Sequence, residues 1–448
     1  MAARPIAVRF APSPTGRLHM GNARPAVLNW LFARRHGGTL LLRHDDTDAE
    51  RSRDEYIDAI EADLRWLGLA WDRRERQSGR LARYAEVLET LKASGHAYSA
   101  YETAEELSLK RKAQLNAGRP PLYDRAALRL TPAERAALEA KGRTPHWRLR
   151  LDHTDVAWAD VIHGDMTIQS STLSDPVLVR EDGTPLYVFT SVVDDIDFAI
   201  SHVIRGDEHL MNTVPQIQLF RVLGAPPPTF AHFALLVGKE GEKLSKRLGA
   251  LSLADLHADG IEAMAIASYL ARLGSSDPIE PRSDLQEVAA KFDLTHFGRA
   301  PAHFDPDDLR AHNAKVVHQL PYAAARDRIE TLAVPNPEAF WLAVRGNLSR
   351  VADAAEWARV VTAPALSAPV EDATLVAKAA ALLPLEPWND ATWSAWTGAV
   401  AGATGTRGRA LFHPLRVALT GRDTGPEMKA LLPLIGRERV LARLSRGT

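Results

Sequence analysis

Near the N-terminus the apolar residues come first as a short uncharged run and then at helical spacing. Ile6-Ala7-Val8 predicts a buried strand. From Ala23 to His36, residues Ala23, Ala26, Val27, Trp30 and Leu31 fall on one stripe, which predicts a helix ended by Gly37-Gly38. Pro25 is placed in its first turn, where a missing N–H does no harm. Thr39–Arg43 predicts a second strand, closing a βαβ unit, and helices are expected over 53–67 and 80–94. The stretch from Arg9 to Asn22 therefore reads as strand, Pro/Gly-rich bend and a helix opening at His19-Met20-Gly21-Asn22. Such an N-terminus attracts anions, because its free N–H groups and its macrodipole point the same way. His19 adds a side-chain donor, and Gly21 lacks the Cβ that would hold a nucleotide away.

Between Ala97 and Pro185 the βα rhythm stops. Helices are expected over 104–117 and 132–141, with short strands at Trp147–Leu151, Val161–Ile162, Thr167–Ile168 and Val177–Val179. This is read as an α+β insertion. The sheet is expected to resume from Tyr187 to Ile204, with a helix after Arg205-Gly206-Asp207-Glu208-His209 that runs through Arg221. Pro226-Pro227-Pro228 precedes a strand over Phe230–Val237, which delivers the glycine-flanked loop Gly238–Arg247, where Lys243 and Lys246 bracket Ser245. Residues 251–273 read as helical. Beyond Ala324 the pattern is helical almost throughout, including 337–351 and a helix capped by Asn389-Asp390.

At 448 residues the chain implies three or more domains. The absence of cysteine excludes disulfides and cysteine-ligated zinc. No apolar run approaches the ~20 residues that span a bilayer, and no apolar leader precedes the first strand, so a cytoplasmic location is expected. A net charge of −1 gives no overall nucleic-acid signal. Residues 401–448 nevertheless carry nine Lys/Arg against three Asp/Glu, a basic end of the kind that meets phosphates.

Pro12-Ser13-Pro14-Thr15-Gly16-Arg17-Leu18-His19-Met20-Gly21-Asn22 resembles the "HIGH" signature of class I aminoacyl-tRNA synthetases, and Lys243-Leu244-Ser245-Lys246-Arg247 resembles their "KMSKS" loop. The Pro-Ser-Pro-Thr-Gly lead-in is that of the glutamyl/glutaminyl branch, and the whole chain is similar to the bacterial glutamyl enzymes. The resemblance implies an α/β Rossmann-like nucleotide-binding catalytic domain (1–97 and 186–240) with an α+β insertion (98–185) that grips the acceptor end of tRNA. A mainly helical stem-contact region (241–323) and an all-α anticodon-binding domain (324–448) would follow.

It also implies ATP as substrate, with Mg²⁺ on its phosphates, and glutamate joined through an adenylate to tRNA(Glu), with tRNA(Gln) an open second or alternative acceptor. A monomer is expected. His19, Gly21, Lys243 and Lys246 would carry the phosphate chemistry, with Ser245 adding a hydroxyl and Glu208, His209, Leu235 and Leu236 around the adenosine. Arg9 and Arg205 would pair with the glutamate carboxylates, beside Ala11, Ser13, Tyr187 and Ser191. The ammonium partner falls on Asp45, in Arg43-His44-Asp45-Asp46-Thr47-Asp48, where the family usually has a glutamate. Tyr98-Ser99-Ala100 and Arg125-Ala126 stand where some members have zinc-binding cysteines, so no zinc is expected. A glutamyl-transferring tRNA-modifying paralogue and a catalytically silent RNA-binding homologue stay open as alternatives.

Overall fold

The computed structural model describes residues 4–242, 252–366 and 371–445. They form two compact units, one of residues 1–256, 267–279 and 284–305 and one of 257–266, 280–283 and 306–448. None of the described helices is long and apolar enough to cross a membrane.

The first unit opens with β1 (Ala7–Phe10), α1 (Met20–Arg35) and β2 (Thr39–His44), followed by α2 (Asp54–Trp66), β3 (Arg73–Arg76) and α3 (Leu81–Ala93). β1, β2 and β3 pair in parallel in that order. Next come β4 (Ala97–Ala100), α4 (Ala104–Asn116), α5 (Pro132–Ala140), β5 (His146–Leu149), β6 (Asp155–Asp160), β7 (Gly164–Gln169) and β8 (Val177–Val179). The chain then makes α6 (Tyr187–Asp197), β9 (His202–Gly206), α7 (Thr213–Val222), β10 (Thr229–Phe233), β11 (Leu236–Gly238) and β12 (Ala302–Phe304).

β9, β10 and β6 are parallel neighbours, with β7 antiparallel on the outer side of β6. β9 is tied to β1 where the Ser201 N–H donates to the Ala7 carbonyl at 2.9 Å. From β1 the chain winds one way to β2, and β9 lies on the other side. Their carboxyl ends therefore open on the crevice where doubly wound sheets bind ligands.

Several local expectations change. α1 starts at Met20, so Pro25 lies in its second turn and removes the N–H that would bond the Gly21 carbonyl. Tyr187–Asp197 is a helix and not a resumed strand. Its β-branched Val192 and Val193 suggest a sheet, but Phe189, Val192, Val193 and Ile196 recur at helical spacing and pack in one core with Tyr84, Leu88 and Leu219. The strand expected at Val161–Ile162 is the turn after β6, held by Asp160 Oδ1, which accepts the Ile162 and His163 N–H groups at 3.0 Å. The single strand expected over 230–237 is two, broken at Ala234-Leu235. The helix expected over 251–273 is Leu253–Ala258 and Ala263–Leu270, parted at Gly260, whose φ of +81° only glycine adopts freely.

In the insertion, β4, β5 and β8 form a small antiparallel sheet. Buried Asp175 organises its edge: Tyr98 Oη donates to it at 2.7 Å, Arg125 Nη2 at 2.6 Å and the Leu151 N–H at 3.1 Å. Tyr98 and Arg125, one from each of the two stretches aligned with expected cysteines, are thus joined by a carboxylate.

Every described regular element of the second unit is helical. The helix expected over 337–351 ends at Val344, and Thr392–Thr404 is the helix preceded by Asn389. Trp341 and Trp396 fill its core, and their indole N–H groups donate to the Leu320 and Ala379 carbonyls at 2.9 Å. The basic end divides. Arg443 is buried and donates to the Leu419 and Val360 carbonyls at 2.6 Å, satisfying the C-terminal ends of two helices. Arg407 and Arg409 remain exposed.

Candidate active site

His19 caps α1. Its Nδ1 accepts the Gly21 N–H at 3.1 Å, while the Asn22 side-chain carbonyl accepts the His19 N–H. With Nδ1 accepting, a neutral ring carries its proton on Nε2, and burial holds its pKa below the usual histidine value. His19 is therefore a neutral donor at the helix N-terminus. A Cβ on Gly21 would lie 3.0 Å from His19 Cε1, so the glycine makes room for the histidine ring itself.

Across the β1/β9 crevice two guanidinium groups are differently engaged. Arg9, at the end of β1, uses only its Nε, which donates to Asp195 at 3.2 Å; its terminal nitrogens make no hydrogen bond among the described residues. Arg205, on β9, is buried. It donates to Tyr187 Oη at 2.9 Å, Thr213 Oγ1 at 2.9 Å, His232 Nε2 at 3.1 Å and, more weakly, the His209 carbonyl at 3.4 Å. No described carboxylate reaches it within 4 Å. Burial pulls its pKa down. A buried cation whose only partners are neutral is poised for an anion.

Asp45 lies at the end of β2 with both oxygens on Arg43, at 2.7 and 3.1 Å, and burial pushes its pKa up to about 6. A cavity of about 160 Å³ brings Asp45 together with Ser13 and Tyr187, and with Asp48, Arg51 and Arg180 on its rim. Ser191, expected to face substrate, is fully buried, and its hydroxyl accepts from Arg43 at 3.4 Å. Ala11 is half-buried just after β1. Glu208 and His209 follow β9. The His209 ring lies 5.1 Å from that of Tyr187, and burial with the nearby arginines lowers its pKa to about 4. Leu235 is exposed and Leu236 buried at the break between β10 and β11. Lys243, Ser245 and Lys246 lie outside the described residues.

Sequence reasoning passed over the support beneath these groups. Arg43 is wholly buried between Asp45, Asp194 and Asp195, and Asp194 also accepts from Arg80, Gln77 and Tyr84. The Asp194-Asp195 pair inside an otherwise apolar segment was its visible sign.

The model of the family "tRNA synthetases class I (E and Q), catalytic domain" matches residues 5–311, and that of "Anticodon binding domain" matches residues 342–448. The chain belongs to the class I tRNA synthetases of the E and Q branch. Among its relatives in this family, "Glutamate--tRNA ligase 2" of Methylobacterium sp. (strain 4-46) is 56% identical over 439 residues, covering 98% of each chain. "Glutamate--tRNA ligase" of Azospirillum brasilense is 55% identical over 443 residues, covering 98% of this chain and 99% of that one. The crystal structure of glutamate-tRNA synthetase from Elizabethkingia anophelis superimposes with a TM-score of 0.83 at 26% identity, over 99% of both chains. The parallel sheet followed by a helical end is thus the class I synthetase arrangement expected from sequence.

Proposed function

We propose that this chain attaches L-glutamate to tRNA(Glu) in two steps. Glutamate's α-carboxylate attacks the α-phosphate of ATP, releasing pyrophosphate; a ribose hydroxyl of the terminal adenosine of tRNA then takes the acyl group from the adenylate, releasing AMP. The observation that carries this reading is the pair of guanidinium groups at the crevice, one with its terminal nitrogens open and one buried without a carboxylate. Arg205 with Tyr187 suits one glutamate carboxylate and Arg9 the other, while Asp45 faces the ammonium. Ser13 lines the same pocket, Ala11 adjoins it, and Ser191 acts through Arg43. His19 Nε2–H and the α1 N-terminus suit the ATP phosphates, with Gly21 shaping that cap. Glu208, His209, Leu235 and Leu236 frame the adenosine, and Lys243, Ser245 and Lys246 meet the departing pyrophosphate. Such chemistry depends on positioning and on charge stabilisation more than on covalent catalysis. Mg²⁺ would enter on the ATP phosphates. The insertion would hold the acceptor end, and the helical end the anticodon.

The test is charging of purified tRNA(Glu) and tRNA(Gln) with radiolabelled glutamate, ATP and Mg²⁺. Charging of tRNA(Glu) is expected, and tRNA(Gln) reports whether the chain discriminates. Failure to charge either would overturn the reading.

A pH dependence follows for Asp45. With its pKa near 6, the carboxylate is ionised at pH 7.5 and protonated below 6. A neutral Asp45 no longer attracts an ammonium. The KM for glutamate should therefore rise up to about tenfold per unit as pH falls below 6. Asp45→Asn should weaken glutamate binding at pH 7.5 and flatten that limb of the profile.

A further inference from the structure

We propose that Asp160 and His232 are positioning residues for glutamate selection: they fix the orientation of Arg205 through a neutral imidazole, leave its charge without a direct carboxylate partner, and so favour a carboxylate over an amide. The proposal rests on the functional reading above, with Arg205 meeting the side-chain carboxylate, the group that glutamine replaces by an amide.

An arginine Nε–H only donates, so at 3.1 Å from Arg205 Nε the His232 Nε2 must accept. That places the imidazole proton on Nδ1, which lies 2.6 Å from Asp160 Oδ2 and donates to it. Thr213 adds a second link: its oxygen accepts from Arg205 Nη2 at 2.9 Å and lies 3.1 Å from His232 Nε2. Asp160 is held in turn by N–H groups of Ile162, His163 and His232 on Oδ1, at 3.0 to 3.2 Å. His232 is fully buried, and Asp160 nearly so.

Along this chain of hydrogen bonds, donation therefore runs outward from Arg205, through His232 to Asp160 on one side and to Tyr187 Oη on the other. Arg205 and Tyr187 are the two groups assigned to the substrate carboxylate. The anion stands one imidazole away from the guanidinium, which is left without a direct carboxylate partner among the described residues and open to the substrate. A doubly protonated His232 would turn an N–H against Arg205, and burial keeps the ring neutral. The polarity of the chain therefore depends on Asp160. An asparagine there can donate to Nδ1, which permits the other tautomer and sets an Nε2–H against the arginine.

The experiment is tRNA-dependent ATP–pyrophosphate exchange on Asp160→Asn, His232→Leu and His232→Gln, with melting temperatures alongside. Asp160→Asn and His232→Leu are expected to raise the KM for glutamate at least tenfold while the KM for ATP stays within about twofold. Both should also narrow the preference for glutamate over glutamine. His232→Gln, whose amide offers one acceptor and one donor, should recover most of what His232→Leu loses. Unchanged KM for glutamate in Asp160→Asn and His232→Leu would overturn the proposal. So would parallel loss toward both substrates that follows the melting temperature. If Asp160→Asn does not fold, the two histidine variants decide on the same criteria. A wild-type protein that does not activate glutamate would instead overturn the functional reading itself.

Discussion

Arg205→Met is expected to cost at least about 10²-fold in kcat/KM for glutamate while leaving the protein as heat-stable as the wild type, or more so. Removing one partner of a buried charge pair costs about 3–5 kcal/mol, and each ~1.4 kcal/mol is a factor of ten. The affected pair exists only when substrate is bound. Without substrate, Arg205 is a buried cation resting on neutral hydroxyl, imidazole and carbonyl groups. An apolar side chain of similar length relieves that desolvation. Activity and stability should therefore move in opposite directions, which a general packing defect cannot produce. Pyrophosphate exchange and a thermal melt on one preparation measure both. Retained glutamate activation would remove Arg205 from the substrate.

Arg43→Met should show the reverse pattern, with stability lost first. Arg43 is wholly buried and lies 2.7 Å from Asp45, 3.1 Å from Asp195 and 3.5 Å from Asp194. Its removal leaves three carboxylates together away from water, with an expected cost of at least about 3–5 kcal/mol. The sign with pH follows from their charge. Asp45, which burial already pushes up and which loses both its hydrogen bonds, rises further without the guanidinium, so the penalty is full when it is ionised and fades as it protonates. In urea unfolding the variant should lie well below wild type at pH 7.5, and the gap should narrow toward pH 5. A gap that is constant with pH would mean that Arg43 acts through volume alone.

The sequence and the structure agree best where information is local. β1, α1 and β2 were legible because an uncharged run, a helical stripe and a second run follow within forty residues, with no competing signal. α6 was misread because Val192 and Val193 favour strands, while the core that they enter, with Tyr84 and Leu219, comes from distant parts of the chain. β12 is three residues long, too short for any periodicity, and is held by its pairing with β11. The His19 cap of α1 was legible from its motif because cap, glycine and helix are contiguous. Arg9, Asp45 and Arg205 were reached only through family resemblance, since no spacing joins them. Asp160 and His232 escaped altogether. They are 72 residues apart, and each looks like an ordinary polar residue until the sheet places them side by side.

The place of β6 also bears on the order of assembly. The unit formed by β1, α1 and β2 closes on itself within the first 44 residues, and the β6–β7 hairpin is equally local. The parallel edge that β6 offers to β10 has no counterpart until residue 229 has been made. During synthesis from the N-terminus, the insertion is therefore translated before the strands that will carry it, and its edge waits for a partner. The residues proposed for glutamate begin with Arg9, and the His232 proposed to orient Arg205 lies on β10, so that arrangement is completed only after residue 229. Fragments ending before β10 should therefore show no amino-acid specificity.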